Sequence, residues 1–296
     1  MRIGAVRSAR LSGGVALAAV GLAATAGCGD EKVAGDDGDA LAERARLVAD
    51  AWDGSSAAAA WRAGYHPTGE AIQLPRGGLH DGADQQAYER RNFKLSGTLP
   101  GAGPKDGNVA WTAGESATRP LVEAKEAYDT LAGARRDRQP QLTVTEIELG
   151  TMRMPTSRGP ASVPAWVFTL DGYATPLKQA AAVPSETPRS PIKPARDLPG
   201  HPLNRLLEVS DDGRTVTVVA LHGLCDDGPA VDALESHGSV VLSASVTGQA
   251  EDSVCTTQGK LERVEVRLRK PLGDRVLLDA HSGSPVRYRG TNGLSP

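Results

Sequence analysis

The sequence predicts an α+β protein: N-terminal helices with a β region, then a disulfide-stapled antiparallel β module. Three observations predict it. Apolar residues recur at helical spacing in Leu41, Ala45, Val48 and Trp52, and again in Leu121, Ala124, Tyr128 and Leu131. From Gln141 the apolar period switches to two, the period of strands. Past Pro202, alternating runs are separated by turn residues, as in Asp211-Asp212-Gly213 and Ser282-Gly283-Ser284.

The chain opens with Arg2, Arg7 and Arg10, followed by the uncharged apolar run Leu11 to Ala26. That is the layout of a secretory signal peptide, so residues 1–27 are set aside from the fold. The run is shorter than the ~20 residues a membrane-spanning helix needs, and it is rich in Gly and Ala. In Ala24-Thr25-Ala26-Gly27-Cys28 a Cys follows small residues. The string resembles the lipobox of bacterial lipoproteins, with Thr25 where Leu is usual. The resemblance implies that Cys28 receives a diacylglyceryl group carrying acyl chains such as palmitate, after cleavage just before it. The alternative is that Ala24-Thr25-Ala26 is an ordinary A-x-A site, which releases a secreted protein.

Cysteine parity favours the lipid. The chain has three Cys, and free secretion leaves an odd thiol in an oxidising compartment. Lipidation of Cys28 leaves Cys225 and Cys255 to pair as a disulfide; the alternative is two buried thiols. Each buried CH₂ contributes about 0.8 kcal/mol, so two or three chains hold a protein stably where one does not. The expected location is the outer face of the cell membrane, with the membrane itself as a partner through the anchor.

Residues 28–39 are polar and acidic with interspersed Gly, and read as a flexible tether. Asp39 caps a helix running to Trp52, and Gly54 ends it. Ser55 caps a second short helix through Trp61, which Gly64 ends. Both Trp residues read as core anchors. Short strands are expected near Arg91 to Leu95 and Asn108 to Thr112. A helix over Leu121 to Leu131 stops at Gly133, just before the basic residues Arg135 to Arg138. Leu142 to Leu149 and Val163 to Leu170 read as a hairpin across Thr156 to Pro160. Both faces of the second strand are apolar, which predicts burial on both sides. Residues 40–183 thus form one α+β domain. Residues 184–202, with repeated Pro among Ser, Arg and Lys, are a semi-rigid linker or a loop within one domain. Residues 203–296 form the antiparallel β module, with strands at Leu206 to Val209, Thr215 to His222, Val240 to Val246, Leu261 to Lys270, Arg275 to Asp279 and Val286 to Arg289.

Net charge is -3, which argues against a nucleic-acid partner. The nucleophile elbow, the zinc-protease helix, the phosphate loop and the dinucleotide fingerprint are absent from the sequence, and no cofactor or metal is expected. The best polar constellation is His222 with Asp226 and Asp227 around Cys225. A His beside two carboxylates suits a general base with an orienting Asp, or a cation. An ordinary Asp-Asp-Gly turn explains the same residues without chemistry, and that reading is adopted. His281 with Asp279 is a second such pair; His66, His80, His201 and His237 show no ligand spacing. The stripe Arg263, Arg267, Arg269 and Lys270 reads as a charged strand face that blocks stray edge pairing; the alternative is a grip on an anionic polymer such as a wall phosphate.

Gly159-Pro160, Val163-Pro164-Ala165-Trp166-Val167-Phe168 and Pro271 to Asp279 are similar to segments of uncharacterised lipoproteins and secreted proteins of actinobacteria. The resemblance covers roughly the second half of the chain; it implies the location and the disulfide, and no catalytic residue. The expectation is a membrane-anchored extracytoplasmic lipoprotein acting as a non-catalytic binding or interaction module for an envelope protein or cell-wall ligand. The alternative is a cell-envelope hydrolase or lyase using His222 with Asp226 or Asp227.

Overall fold

The computed structural model describes residues 36–133, 139–248 and 258–290. The signal segment, Cys28, Arg135 to Arg138 and Cys255 lie outside the described residues. The described chain is α+β and mostly strand. Helix α1 (Asp36–Trp52) starts ahead of the expected cap, so Asp37 and Asp39 sit in its first turn. Carboxylates there complement the positive end of the helix dipole. The stripe Leu41, Ala45, Val48 and Trp52 is buried as its spacing demands. Helix α2 (Ser56–Ala63) begins where the Ser55 hydroxyl accepts the Ala58 N–H, and Gly64 closes it.

The middle of the chain builds one seven-stranded sheet. In chain order come β1 (Ile72–Gln73), helix α3 (Gly82–Glu89), β2 (Phe93–Leu95), β3 (Asp106–Trp111), β4 (Ser116–Pro120) and helix α4 (Ala124–Ala132). Then follow β5 (Leu142–Met154), β6 (Ala161–Leu170) and β7 (Leu177–Ala180). β6 is the spine. The long antiparallel hairpin partner β5 lies on one side, while β3 and β7 share the other. Pro164 sits inside this central strand, where an N–H is normally needed. Its carbonyl accepts from Ala181, so its ring nitrogen faces the shared side, between the last β3 partner, Ser162, and the first β7 partner, Ala165. The missing donor therefore falls in a gap. Trp166, Phe168 and Leu170 pack on α4 residues Ala127, Tyr128 and Leu131. Ala161, Val163 and Ala165 pack on Tyr65, Trp111 and Met152. Both faces of β6 are buried, as the sequence predicts.

The C-terminal part holds β8 (Arg205–Val209), β9 (Thr215–Gly223), β10 (Gly228–Glu235), β11 (Ser239–Thr247), β12 (Gly259–Arg267) and β13 (Val276–Asp279). They form two three-stranded sheets, ordered β10-β11-β13 and β12-β9-β8. Val240, Leu242, Leu277, Val216, Val218 and Val266 fill the space between the sheets. Val241, Val276 and Leu278 point the other way, onto Val48, Trp52, Ala58 and Trp61 of α1 and α2. The N-terminal helices thus cover the C-terminal sheet, giving helix, sheet and sheet in three layers. Glu235 and Arg275, both nearly fully buried side chains, pair at 2.9 Å and tie β10 to the turn before β13. All described residues fall within one compact unit, Val33–Pro296.

Two expectations need correction. The module is not purely antiparallel, because β13 pairs with β11 in parallel. The second is the disulfide staple: no disulfide is found among the described residues, and Cys255, the expected partner of Cys225, lies outside them. At this end of the β9–β12 ladder, Gly223 of β9 faces Gly259 of β12. Residues 184–202 carry no strand or helix, yet they are fastened at many points. Ser185 exchanges hydrogen bonds with Tyr65, Arg44 donates to the Lys193 carbonyl, and Ala195 donates to His281.

Candidate functional site

Four distant pieces of chain enclose a cleft of about 730 Å³, within the size range of small-ligand sites. Trp61 lies in the last turn of α2, and the chain turns at Gly64 into His66, Pro67 and Thr68. Val183 to Thr187 follow β7; Arg205 opens β8; Val286 to Gly290 follow β13. Backbone bonds hold the walls. Tyr65 N–H donates to Ser185 Oγ, and Ser185 N–H donates to the Tyr65 carbonyl. Leu206 N–H donates to Arg287, and Arg289 N–H donates back to Leu206. Arg119 anchors the Val183 and Pro184 carbonyls at 2.9 Å each.

The His66 imidazole lies flat on the Trp61 indole, with ring centroids 3.7 Å apart and planes 6° apart. Only Gly at position 64 permits this, since a Cβ there would meet His66 Nε2 at 2.4 Å. The residue is 7% exposed. Burial, with the charge of Arg119 second, lowers the His66 pKa to about 4, against a weaker opposing pull from the Trp61 carbonyl. The imidazole is therefore neutral near pH 7. Burial, with the Glu70 carboxylate second, raises the Tyr288 phenol far above its ordinary value and keeps it protonated. Among the residues that line the cleft, two buried side-chain nitrogens have no hydrogen-bond partner: His66 Nε2 and Arg205 Nε. Such groups are rare in folded proteins, because each loses its water without replacement.

The residues singled out from the sequence lie elsewhere. His222 is buried on β9, with Nε2 3.3 Å from Glu262 of β12 rather than beside Asp226. The Asp226 carboxylate accepts the Gly223 N–H at 2.6 Å, which is turn chemistry. Asp227 closes the same loop through its own N–H to the Thr247 carbonyl. None of His222, Asp226 and Asp227 lines the cleft, or the second cavity beside α4. Asp279 and His281 are both buried and 3.9 Å apart. Asp279 accepts from Leu203 and Ser282, while His281 Nε2 meets the Pro199 carbonyl, so His281 fastens the 184–202 segment. Arg263 and Arg267 lie exposed on β12, the edge strand of its sheet. Among the described residues, no group of three His, Cys, Asp or Glu side chains could hold a metal ion.

Sequence reasoning missed His66 and Arg205. His66 has no ligand spacing with any other His, and nothing in the sequence brings Arg205 to the same cleft. The only near signal is the short run Trp61 to Gly64 to His66, a helix stop with two rings around it. No family model, no curated protein and no solved structure matches the chain.

Proposed function

We propose that this chain is a lipid-anchored extracytoplasmic protein, akin to uncharacterised actinobacterial lipoproteins, whose folded body is a binding module with its ligand site in the Trp61–His66 cleft. The observation that carries the reading is that two residues lining the cleft, His66 and Arg205, each hold a buried nitrogen without a hydrogen-bond partner. A ligand supplies the partners that the fold withholds. The cleft's polar atoms suit holding more than bond-making. Ser185 Oγ is engaged by the Tyr65 N–H, and the Tyr288 phenol is kept protonated. The signal segment and Cys28 support the anchor. Among the described residues no helix is long and apolar enough to cross a membrane.

The test combines location with binding. Cys28→Ala is expected to move the protein from the membrane fraction to the soluble one. A low-molecular-weight extract of the host envelope is expected to raise the melting temperature of the wild type. Thr187→Trp, which fills the cleft from an irregular segment, is expected to abolish that shift. An equal shift in both proteins, or none in either, contradicts the cleft as the site. Retention of the Cys28→Ala protein in the membrane fraction contradicts the anchor.

A further inference from the structure

We infer that the ligand of this cleft is a small organic oxyanion, a carboxylate or phosphate joined to a flat apolar body, with its charged end held by Arg205. The inference rests on the binding reading above and goes beyond it by naming the chemical class. Arg205, Arg287 and Arg289 line the cleft against a single lining carboxylate, Glu186. Glu70, close by, is occupied with the Tyr288 phenol. The whole chain is acidic at -3, so a basic cleft is a local departure and not a general surface trait. A guanidinium whose Nε has left water without a partner is costly, and it is the side chain whose planar fork fits carboxylate and phosphate oxygens.

His66 adds an independent constraint. It is more than nine-tenths buried, lines the cleft, and has an Nε2 without a partner. A neutral imidazole nitrogen donates or accepts one hydrogen bond, which suits an oxygen beside the anionic group. Trp61, Pro67, Val183, Pro184 and Val286 supply an apolar stretch of wall, beside the polar Thr68, Ser185 and Thr187. A bare inorganic ion leaves that wall uncovered, while a ring or short acyl body fills it.

The experiment titrates the full chain with benzoate, phenyl phosphate, inorganic phosphate and the neutral analogue benzamide, read by calorimetry and tryptophan fluorescence. Benzoate or phenyl phosphate is expected to bind at least tenfold more tightly than benzamide and more tightly than inorganic phosphate. Which of the two binds better distinguishes carboxylate from phosphate. Arg205→Gln is expected to weaken the better anion at least tenfold and to leave benzamide unchanged. Arg287→Gln, at an exposed position that threatens no core, is expected to weaken it less and to flatten its salt dependence. Benzamide binding as well as the anions overturns the charge assignment while leaving the cleft as a binding site. Binding of no probe also overturns it, and the Thr187→Trp thermal-shift experiment then decides the cleft separately. An Arg205→Gln protein that folds and binds the anions normally overturns the role of Arg205.

Discussion

A Cβ on residue 64 would meet His66 Nε2 at 2.4 Å, and that one absence lets an imidazole lie on an indole. The stacked ring gains ring contact and loses water, so its charged form is disfavoured. The sign of the resulting pH effect follows. The unfolded chain binds the His66 proton below 6.5, whereas the folded chain binds it only below about 4. The contribution is full above pH 6.5 and is lost as pH falls toward 4. Its size is of order 1–3 kcal/mol. We expect the melting temperature of the wild type to drop across this window more than that of His66→Gln, measured by scanning calorimetry in matched buffers. Parallel curves for the two proteins contradict a buried neutral imidazole. None of this was legible in the sequence, where His66 is one of several scattered His residues.

Elements were legible where they carry their own pattern. The stripe of α1, the Ser55 cap and Gly64 stop of α2, and the alternation of β5, β6, β9 and β12 all report a local period. Helix α3 was missed because Ala87 is its single buried residue, so it has no stripe to read. Its signal is the cap: Asp81 accepts the Ala83 and Asp84 N–H groups. β10 was missed because its start coincides with the Asp226-Asp227-Gly228 turn signal and most of its residues are only half-buried. The parallel pairing of β11 with β13 was invisible because a period of two fixes faces, not neighbours. The 184–202 segment is decided by tertiary contact. Gly200 has φ +83° and approaches β11 so closely that a Cβ would meet the Ala244 carbonyl oxygen at 2.3 Å. Gly200→Ala is expected to destabilise the fold by roughly 1–3 kcal/mol. Urea unfolding checks it; an unchanged midpoint contradicts close docking of this segment on β11.

At the scale of the molecule, the fold gathers what the sequence scatters. Trp61 comes from α2 and His66 from the turn after it, Ser185 from the Pro-rich segment, and Arg205 and Tyr288 from the C-terminal module. The helices lie on the C-terminal sheet, and Trp52 donates its indole N–H to the Gly283 carbonyl across that junction. A cleft built from such separations has no one-dimensional signature, which is why the sequence pointed to His222, Asp226 and Asp227 instead. Those residues are neighbours along the chain, yet the fold places His222 against Glu262 and turns Asp226 back on Gly223.

The central claim is that the cleft keeps hydrogen-bonding capacity for a small molecule from outside the chain. Native mass spectrometry of the protein, released in mild detergent from its own membranes, tests this most directly. The account predicts a small-molecule mass on the wild type, displaced by Thr187→Trp. Identical ligand-free spectra from both proteins, or the same adduct on both, would contradict it.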